Sequence, residues 1–332
     1  MKARVAVILL NWNGWQDTVE CLESLLHLSH TSFAIVVVDN ASTDGSMENI
    51  NEWCVPRVGK SLGFNSLKLL TQGELPKVQR TLQHRDVVLV QSESNGGFAS
   101  GNNLGLRLAL LAGCERMWLL NNDTTVDPQA LSALEERMSD EPSFGMLGSV
   151  LHYYDQPQII QAVGGVKFNF WRARGRQVGQ GLRADAPEVA ALGELNLTYV
   201  AGASMLVSRE FVEDVGLMEE GYFLYFEEID WACRAADRWR AGTAVHSRVF
   251  HKEGASIGTA SRSHRSELSQ YYLTRNLILF YRYHRPSLVF MALLGVSYEA
   301  AKLLLLGKGS LFSCMWSAAV DGARGCSGMR RA

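Results

Sequence analysis

The hydrophobic positions of the first half of the chain come in short unbroken runs, each cut off by a polar turn. Residues 5–10 (VAVILL), 33–38 (FAIVVV), 87–90 (VVLV) and 117–120 (MWLL) are the four clearest. An unbroken apolar run marks a strand buried on both faces, as in a parallel sheet with helices on either side. Between the runs the period changes. Val19, Leu22, Leu25 and Leu26 share one helical face, as do Leu104, Leu108 and Leu111. Strand, helix and strand in succession predict a βαβ beginning and a mostly parallel α/β sheet with flanking helices. Every run ends in polar residues: Asn11-Trp-Asn-Gly14, Asp39 to Gly45, Glu93 to Asn103, and Asn121-Asn122-Asp123. Ligands of open α/β sheets bind at this carboxyl edge of the strands.

The rest of the chain is read the same way. Asp127 and Pro128 predict a helix start, followed by Leu131, Leu134 and Met138 on one face. Residues 51–83, broken by glycines and two prolines, predict an inserted loop with a short helix. A strand is expected at 144–150, then a hairpin or mobile flap over the sheet between 164 and 198, rich in Gly and Arg. Residues 199–207 predict a core strand, Ser208 a helix cap, and 243–250 a strand ending at His251. From 287 to 306 the chain is mostly apolar, interrupted by Glu299 and Lys302. A charge in mid-membrane is expensive, so the expectation is an interfacial or bundle-packed helix pair, with ordinary core helices and then a true membrane span as the alternatives. The division expected is a catalytic domain at 1–265 and a helical C-terminal region at 266–332, with Arg282, His284 and Arg285 suited to anionic headgroups.

Composition narrows the classes. The 332 residues carry a formal net charge of −2 with scattered Lys and Arg, which argues against broad binding of nucleic acid. Six cysteines form no C-x-x-C pair, so neither a zinc knuckle nor a dithiol site is signalled, and reduced thiols of a cytosolic protein are expected. The beginning of the chain runs almost directly into a strand, without the cleavage region of a secretory signal.

The chemistry sits at the strand ends. Asp39, Asp44 and Asp123 follow successive runs, and Glu227, Glu228 and His251 come later. A carboxylate at the sheet edge can accept hydrogen bonds from a ribose or base, or ligate a divalent cation that holds a diphosphate. A later one can deprotonate a hydroxyl. A Glu-Glu pair is most often helix surface, but this one follows the aromatic run Tyr222 to Phe226. Three classes fit: a transferase using a nucleoside-diphosphate sugar, a sugar nucleotidyltransferase, and a non-catalytic membrane-associated sugar-binding protein. The second would show a Gly-rich basic loop after the first strand, where this chain has Asn11-Trp-Asn-Gly14. The third leaves Glu228 without a role.

Five blocks in order resemble the inverting GT-A glycosyltransferases of family 2, in particular their rhamnosyltransferase-like branch: Val-Asp39-Asn-Ala-Ser-Thr-Asp44-Gly, Asn95-Gly-Gly-Phe98-Ala-Ser-Gly101-Asn-Asn103, Leu-Leu-Asn-Asn-Asp123-Thr, Tyr-Phe-Leu-Tyr-Phe-Glu227-Glu228-Ile-Asp230-Trp231 and His251-x-x-Gly254-x-Ser256. The resemblance covers about residues 3–285. It implies a GT-A, Rossmann-like nucleotide-diphospho-sugar transferase fold and a nucleoside-diphosphate sugar as donor. It also implies a lipid-linked or oligosaccharide hydroxyl as acceptor in surface-polysaccharide synthesis, at the cytoplasmic face of the inner membrane. By the same resemblance Asn11 and Asp39 hold the base and ribose. Asp44 and Asn95 line or brace that pocket, and Asn122 belongs to the nucleotide-binding set. Asp123 stands as the last acid of the family's Asp-x-Asp metal motif, with Asn121 in the first position. His251 is the second ligand of Mg²⁺ or Mn²⁺, and Glu228 is the catalytic base with Glu227 beside it. L-Rhamnose from dTDP-rhamnose is the donor expected from the branch, with galactofuranose or another UDP-linked hexose as alternatives.

Overall fold

The structure, a computed structural model, describes residues 1–77, 81–252 and 266–330. It opens with β1 (Val5–Asn11), α1 (Trp15–Leu26), β2 (Phe33–Asp39), α2 (Ser46–Cys54), β3 (Ser66–Thr71), β4 (Asp86–Gln91), α3 (Gly97–Leu111) and β5 (Arg116–Asn121). There follow β6 (Thr124–Val126), α4 (Ala130–Asp140), β7 (Phe144–Tyr153), β8 (Gln156–Val163), β9 (Gly165–Asn169), β10 (Arg174–Gln177), α5 (Glu188–Gly193), β11 (Tyr199–Val200) and β12 (Ser204–Ser208). The chain ends with α6 (Arg209–Val215), α7 (Glu227–Ala235), β13 (Arg240–His251), α8 (Glu267–His284), α9 (Val289–Leu305) and α10 (Gly309–Arg324).

Ten strands form one sheet in the order β3-β4-β2-β1-β5-β12-β7-β13-β6, with β8 paired to β7. β1 lies parallel between β2 and β5. β12 runs antiparallel to both β5 and β7, which makes the sheet mixed at its centre. The unbroken apolar runs have the expected cause. Ala6 and Ile8 pack on the α3 side with Leu104 and Leu108, while Val7 and Leu9 pack on the α1 and α4 side with Leu22, Leu25, Leu131 and Leu134. Each fully buried Leu or Ile contributes about 1.5–3 kcal/mol, so the four central strands anchor the fold.

The second strand layer differs from the sequence reading in four places. Residues 51–83 contain β3, an edge strand with mostly exposed side chains, so the apolar run that marks the other strands is missing. α4 starts at Ala130. Asp127 Oδ1 accepts the Gln129 amide at 3.0 Å, making a turn where a helix cap was expected. β6 separates Asp123 from that turn and pairs antiparallel with β13. Residues 199–207 break at 201–203, so β11 joins the small sheet β10-β9-β11 and only β12 enters the large one. Residues 178–197 do cover one face of the large sheet, through Val178, Leu192 and Leu197. The β9–β10 hairpin itself reaches α8, where Phe168 and Phe170 pack on Phe280. Ser208 caps α6 as expected, its hydroxyl accepting the Phe211 amide at 3.1 Å.

The C-terminal helices form a packed bundle. Tyr271 and Tyr272 of α8 bury against Cys314 and Ala318 of α10, and Ile278 against Met315. Gly322 sets the spacing at this crossing, since a Cβ there would lie 2.7 Å from the Arg275 carbonyl oxygen. α9 leans on the bundle by a narrow stripe, Ala292, Val296 and Ala300. Its other faces expose Phe290, Leu294, Tyr298, Leu304 and Leu305. Among the described residues, 286–305 is the one helical stretch long and apolar enough to cross a membrane, with mean hydropathy 1.7 and only 17% of it buried.

Candidate active site

The first part of the site is a closed hydrogen-bond net at the carboxyl ends of β1, β2 and β4. Register places Asn11 beside Asp39. Asn11 Nδ2 donates to Asp39 Oδ1 at 3.1 Å, Gln91 Nε2 donates to Oδ2 at 3.2 Å, and the Ser42 hydroxyl also donates to Oδ1. The Thr18 hydroxyl donates to Asn11 Oδ1 at 2.8 Å, and Asn122 Nδ2 donates to the Thr18 hydroxyl at 3.0 Å and the Gly14 carbonyl at 3.2 Å. Asn122 therefore spends its amide bracing the β1 turn from below. Asp44 is exposed at the rim and accepts the Ser46 amide at 3.1 Å, at the start of α2. Asn95 Oδ1 accepts Asn40 Nδ2 and the Gly97 amide, both at 2.9 Å, which locks the turn entering α3.

Asp123 and His251 meet at the next strand ends, both with less than a tenth of their surface exposed. His251 Nδ1 lies 3.0 Å from Gln161 Oε1, an acceptor, so that nitrogen carries the ring proton. Nε2 sits 3.2 Å from Asp123 Oδ1 and is buried without a hydrogen-bond partner. A ring nitrogen and a carboxylate oxygen converging in this way suit a shared divalent cation, and Gln161 supplies the orienting contact such an imidazole ligand uses. Burial pushes the Asp123 carboxyl up, but the His251 ring and Lys252 outweigh it and hold it below the usual carboxylate range. Among the described residues no group of three or more His, Cys, Asp and Glu forms a metal cage, so water or substrate oxygen would complete the shell. Lys252 fastens this edge, its ammonium donating to Asp17 and Glu20 at 2.6 Å each while its amide donates to the Asp123 carbonyl at 3.0 Å. Gly254 and Ser256 lie outside the described residues.

The third part is the Glu227-Glu228 pair on the first turn of α7. Gly202 receives it: a Cβ on Gly202 would sit 2.3 Å from Glu228 Oε1, and the Gly202 amide donates to that carboxylate. The next carbonyl, Ala203, accepts the Asn121 amide at 3.0 Å, which ties the pair to the end of β5, just before the turn that carries Asp123. Glu227 is buried with Oε2 unpartnered. Burial, then the charge of Glu228, push its carboxyl well above the usual range. Burial also raises Glu228, but the backbone amides of Glu228 and Gly202 offset part of it. The charge of Glu228 adds to the rise at its neighbour, so of the two carboxyls Glu227 is the one pushed further up. The turn before them is strained, with Phe223, Tyr225 and Phe226 at φ +66°, +68° and +80°. It meets the Asn95 turn where the Phe98 amide donates to the Phe223 carbonyl at 2.8 Å.

Asp230 accepts Arg234 Nε at 2.8 Å, the i,i+4 pair that their spacing in the sequence offers, and faces His284 Nε2 at 2.6 Å, joining α7 to the end of α8. Other residues of this neighbourhood went unread in the sequence. Arg275 and Asn276, buried on α8, donate to carbonyls of the strained turn. The available signal was an Arg-Asn pair set between Tyr271-Tyr272 and the apolar run Leu277 to Phe280. Gln161 had none, since β8 is not visible as a periodic run.

A mixed sheet with a nucleotide-type βαβ half, and acids gathered at its carboxyl edge, is the GT-A architecture. The chain aligns over 97% of its length with 88% of the mannosyltransferase PcManGT from Pyrobaculum calidifontis, solved with GDP-Man and Mn²⁺, at TM-score 0.53 and 15% identity. Residues 6–62, from β1 to the segment before β3, match the family described as Glycosyl transferase family 2. The low-salt glycan biosynthesis hexosyltransferase Agl10 of Haloferax volcanii is 22% identical over 243 residues, which cover 70% of this chain and 61% of that one. The dTDP-rhamnosyl transferase RfbF of Shigella flexneri is 24% identical over 251 residues, covering 70% of this chain and 77% of that one. These matches support a place among the family 2 glycosyltransferases.

Proposed function

We propose that the protein is an inverting glycosyltransferase that moves a sugar from a nucleoside diphosphate to a hydroxyl of a lipid-linked or oligosaccharide acceptor. The observation that carries this reading is the split acid pair beside the Asp123–His251 edge. A carboxylate in water is a weak base, whereas burial raises the Glu228 carboxyl above its ordinary value, and the partly covered residue is set to receive an incoming hydroxyl. Glu228 takes the acceptor proton as the acceptor oxygen attacks the anomeric carbon from the face opposite the diphosphate. Glu227, its carboxyl raised by burial, accepts the backbone amides of Tyr225 and of its own residue and so braces the turn. Asn11 and Asp39 present the polar wall for base and ribose. Asp123 and His251 would hold Mg²⁺ or Mn²⁺, which offsets the charge gathering on the leaving diphosphate. Carboxylate and imidazole ligation suits either ion, with a tilt to Mn²⁺ from the nitrogen.

dTDP-rhamnose is the first donor to test, since one relative is named for it, and UDP-linked hexoses come second. A nucleotidyltransferase needs room for a triphosphate after β1, but there the Gly14 carbonyl and Thr18 are tied to Asn122. Phe290, Leu294 and Leu305 on α9 suit a peripheral contact with the membrane that would carry a lipid-linked acceptor. The test is a panel of dTDP-, UDP- and GDP-sugars offered to the purified protein with Mn²⁺, reading released nucleoside diphosphate. Glu228→Gln keeps the size of the base and removes its function. It is expected to keep donor binding and lose about 10²–10⁴-fold in single-turnover transfer. Undiminished transfer by that variant rejects the mechanism, and pyrophosphate release from the panel would mark a nucleotidyltransferase instead.

A further inference from the structure

The turn that presents Glu228 cannot hold its own shape. Phe223, Tyr225 and Phe226 all lie in the left-handed region, where side-chain-bearing residues are strained. Within the turn the Leu224 amide donates to the Tyr222 carbonyl at 2.8 Å, a single contact for a strained segment. Helix α8 adds side-chain donors. Asn276 Nδ2 reaches the carbonyls of Tyr222, Leu224 and Tyr225 at 2.9, 2.8 and 3.0 Å. Arg275 Nη2 donates to the Tyr222 carbonyl at 2.7 Å, and Nη1 to the Gly328 carbonyl at 2.6 Å. The Gly328 amide in turn donates to the Gly221 carbonyl at 2.6 Å. One guanidinium and one amide thereby gather the base turn, α8 and the end of the chain.

Arg275 is 1% exposed, lies over the ring of Tyr272 at 4.8 Å, and forms no ion pair with a carboxylate among the described residues. Burying an unpaired cation is costly, and a helix packing only for stability is better served by an apolar residue. The two arms of the guanidinium, aimed at two separate carbonyls, fit a locating role. We propose that Arg275 and Asn276 are positioning residues for the base, setting the reach of Glu228 toward the acceptor hydroxyl, with the segment 326–330 as the third point of the same clamp. The inference rests on the reading of Glu228 as the base. The clamp touches neither the Asn11–Asp39 net nor the Asp123–His251 edge, so it governs transfer and not donor capture.

Arg275→Ala, Arg275→Lys and Asn276→Ser in the full chain separate this role from mere support. The measurements are donor affinity by calorimetry with Mn²⁺, single-turnover transfer at saturating donor, and the thermal midpoint. Arg275→Ala is expected to lower transfer about 10²-fold, the scale of an ångström's misplacement. Donor affinity should stay within about threefold, since none of its groups is touched. Arg275→Lys, which keeps the charge and one arm, should recover part of the rate, and Asn276→Ser should repeat the split. If Arg275→Ala does not fold, the lysine and serine variants carry the same comparison. Wild-type transfer rates in the variants, or transfer and donor affinity falling together with the thermal midpoint, overturn the clamp. A wild-type protein that transfers from no nucleotide sugar rejects the parent reading instead.

Discussion

Glu227 is the residue whose environment is most at odds with its chemistry. Its carboxyl is held well above the usual value of about 4.3 by burial and then by the charge of Glu228. Between that ordinary value and the folded one, the unfolded chain releases a proton that the folded chain keeps. Stability therefore falls as pH rises through this window. Glu227→Gln removes the titration. Thermal midpoints measured between about pH 5 and pH 8 should decline less steeply in the variant than in wild type; parallel declines would mean that Glu227 is ionised in the fold. Asp123 makes the complementary case, a carboxylate kept ionised at the sheet edge. Asp123→Ala should abolish the Mn²⁺ dependence of donor binding in calorimetry while the protein stays folded at a somewhat lower thermal midpoint, since a carboxylate with a depressed pKa stabilises the fold at neutral pH. An affinity that still responds to the metal would remove Asp123 from the ligand set. Asn11, Asp39, Asp123 and Glu228 were legible because each follows an apolar run or an aromatic run that announces the site edge. Asn122 shows where such legibility stops. The same motif that places Asp123 at the edge turns Asn122 inward to Thr18 and Gly14, a direction that spacing does not encode.

At the scale of elements, the site depends on three turns meeting: 95–98 before α3, 201–203 before β12, and 222–226 before α7. Gly97 is the tightest joint. Its φ is +86°, and a Cβ would lie 2.1 Å from the Phe223 carbonyl oxygen. Gly97→Ala must therefore separate the Asn95 turn from the base turn or distort both. The strain is expected to cost about 1–3 kcal/mol of stability, and transfer should suffer more than the midpoint does because Glu228 moves with Phe223. Denaturant melts read beside single-turnover rates check this, and a variant with both values at wild-type level would show that the joint is loose. The glycine was visible in the sequence, but its partner, more than a hundred residues away, was not. The elements themselves followed the same divide. Strands buried on two faces were plain from their runs. β3 and β8, whose side chains are largely exposed at one end or at the sheet margin, gave no run to read.

The whole molecule joins a nucleotide-type sheet to a helical bundle that shapes the base turn and carries an apolar outer face. The residues that reach the turn before α7 lie among apolar positions of α8, and those that form the apolar face lie among the packed positions of α9, so the sequence pattern alone did not separate them. Truncating the chain at Arg285 would strip α10 from Tyr271, Tyr272 and Ile278 and remove the Gly328 carbonyl from Arg275, so it tests packing and membrane contact at once. Substitution on α9 separates them. Leu294 is 61% exposed and Leu305 89%, whereas the stripe that holds the helix is Ala292, Val296 and Ala300. Leu294→Glu with Leu305→Glu therefore leaves the packed stripe alone and should not shift the thermal midpoint. Each leucine transferred into a bilayer interface is worth up to about 1.5–3 kcal/mol, and each added charge opposes anionic headgroups. The pair of changes should weaken co-sedimentation with vesicles of mixed anionic and zwitterionic phospholipid at least about tenfold. Transfer to a water-soluble acceptor should be unaffected, because the base turn and its clamp are untouched. Wild-type protein that stays in the supernatant at every vesicle concentration would show that α9 covers another protein surface, and the acceptor would then be sought among soluble oligosaccharides.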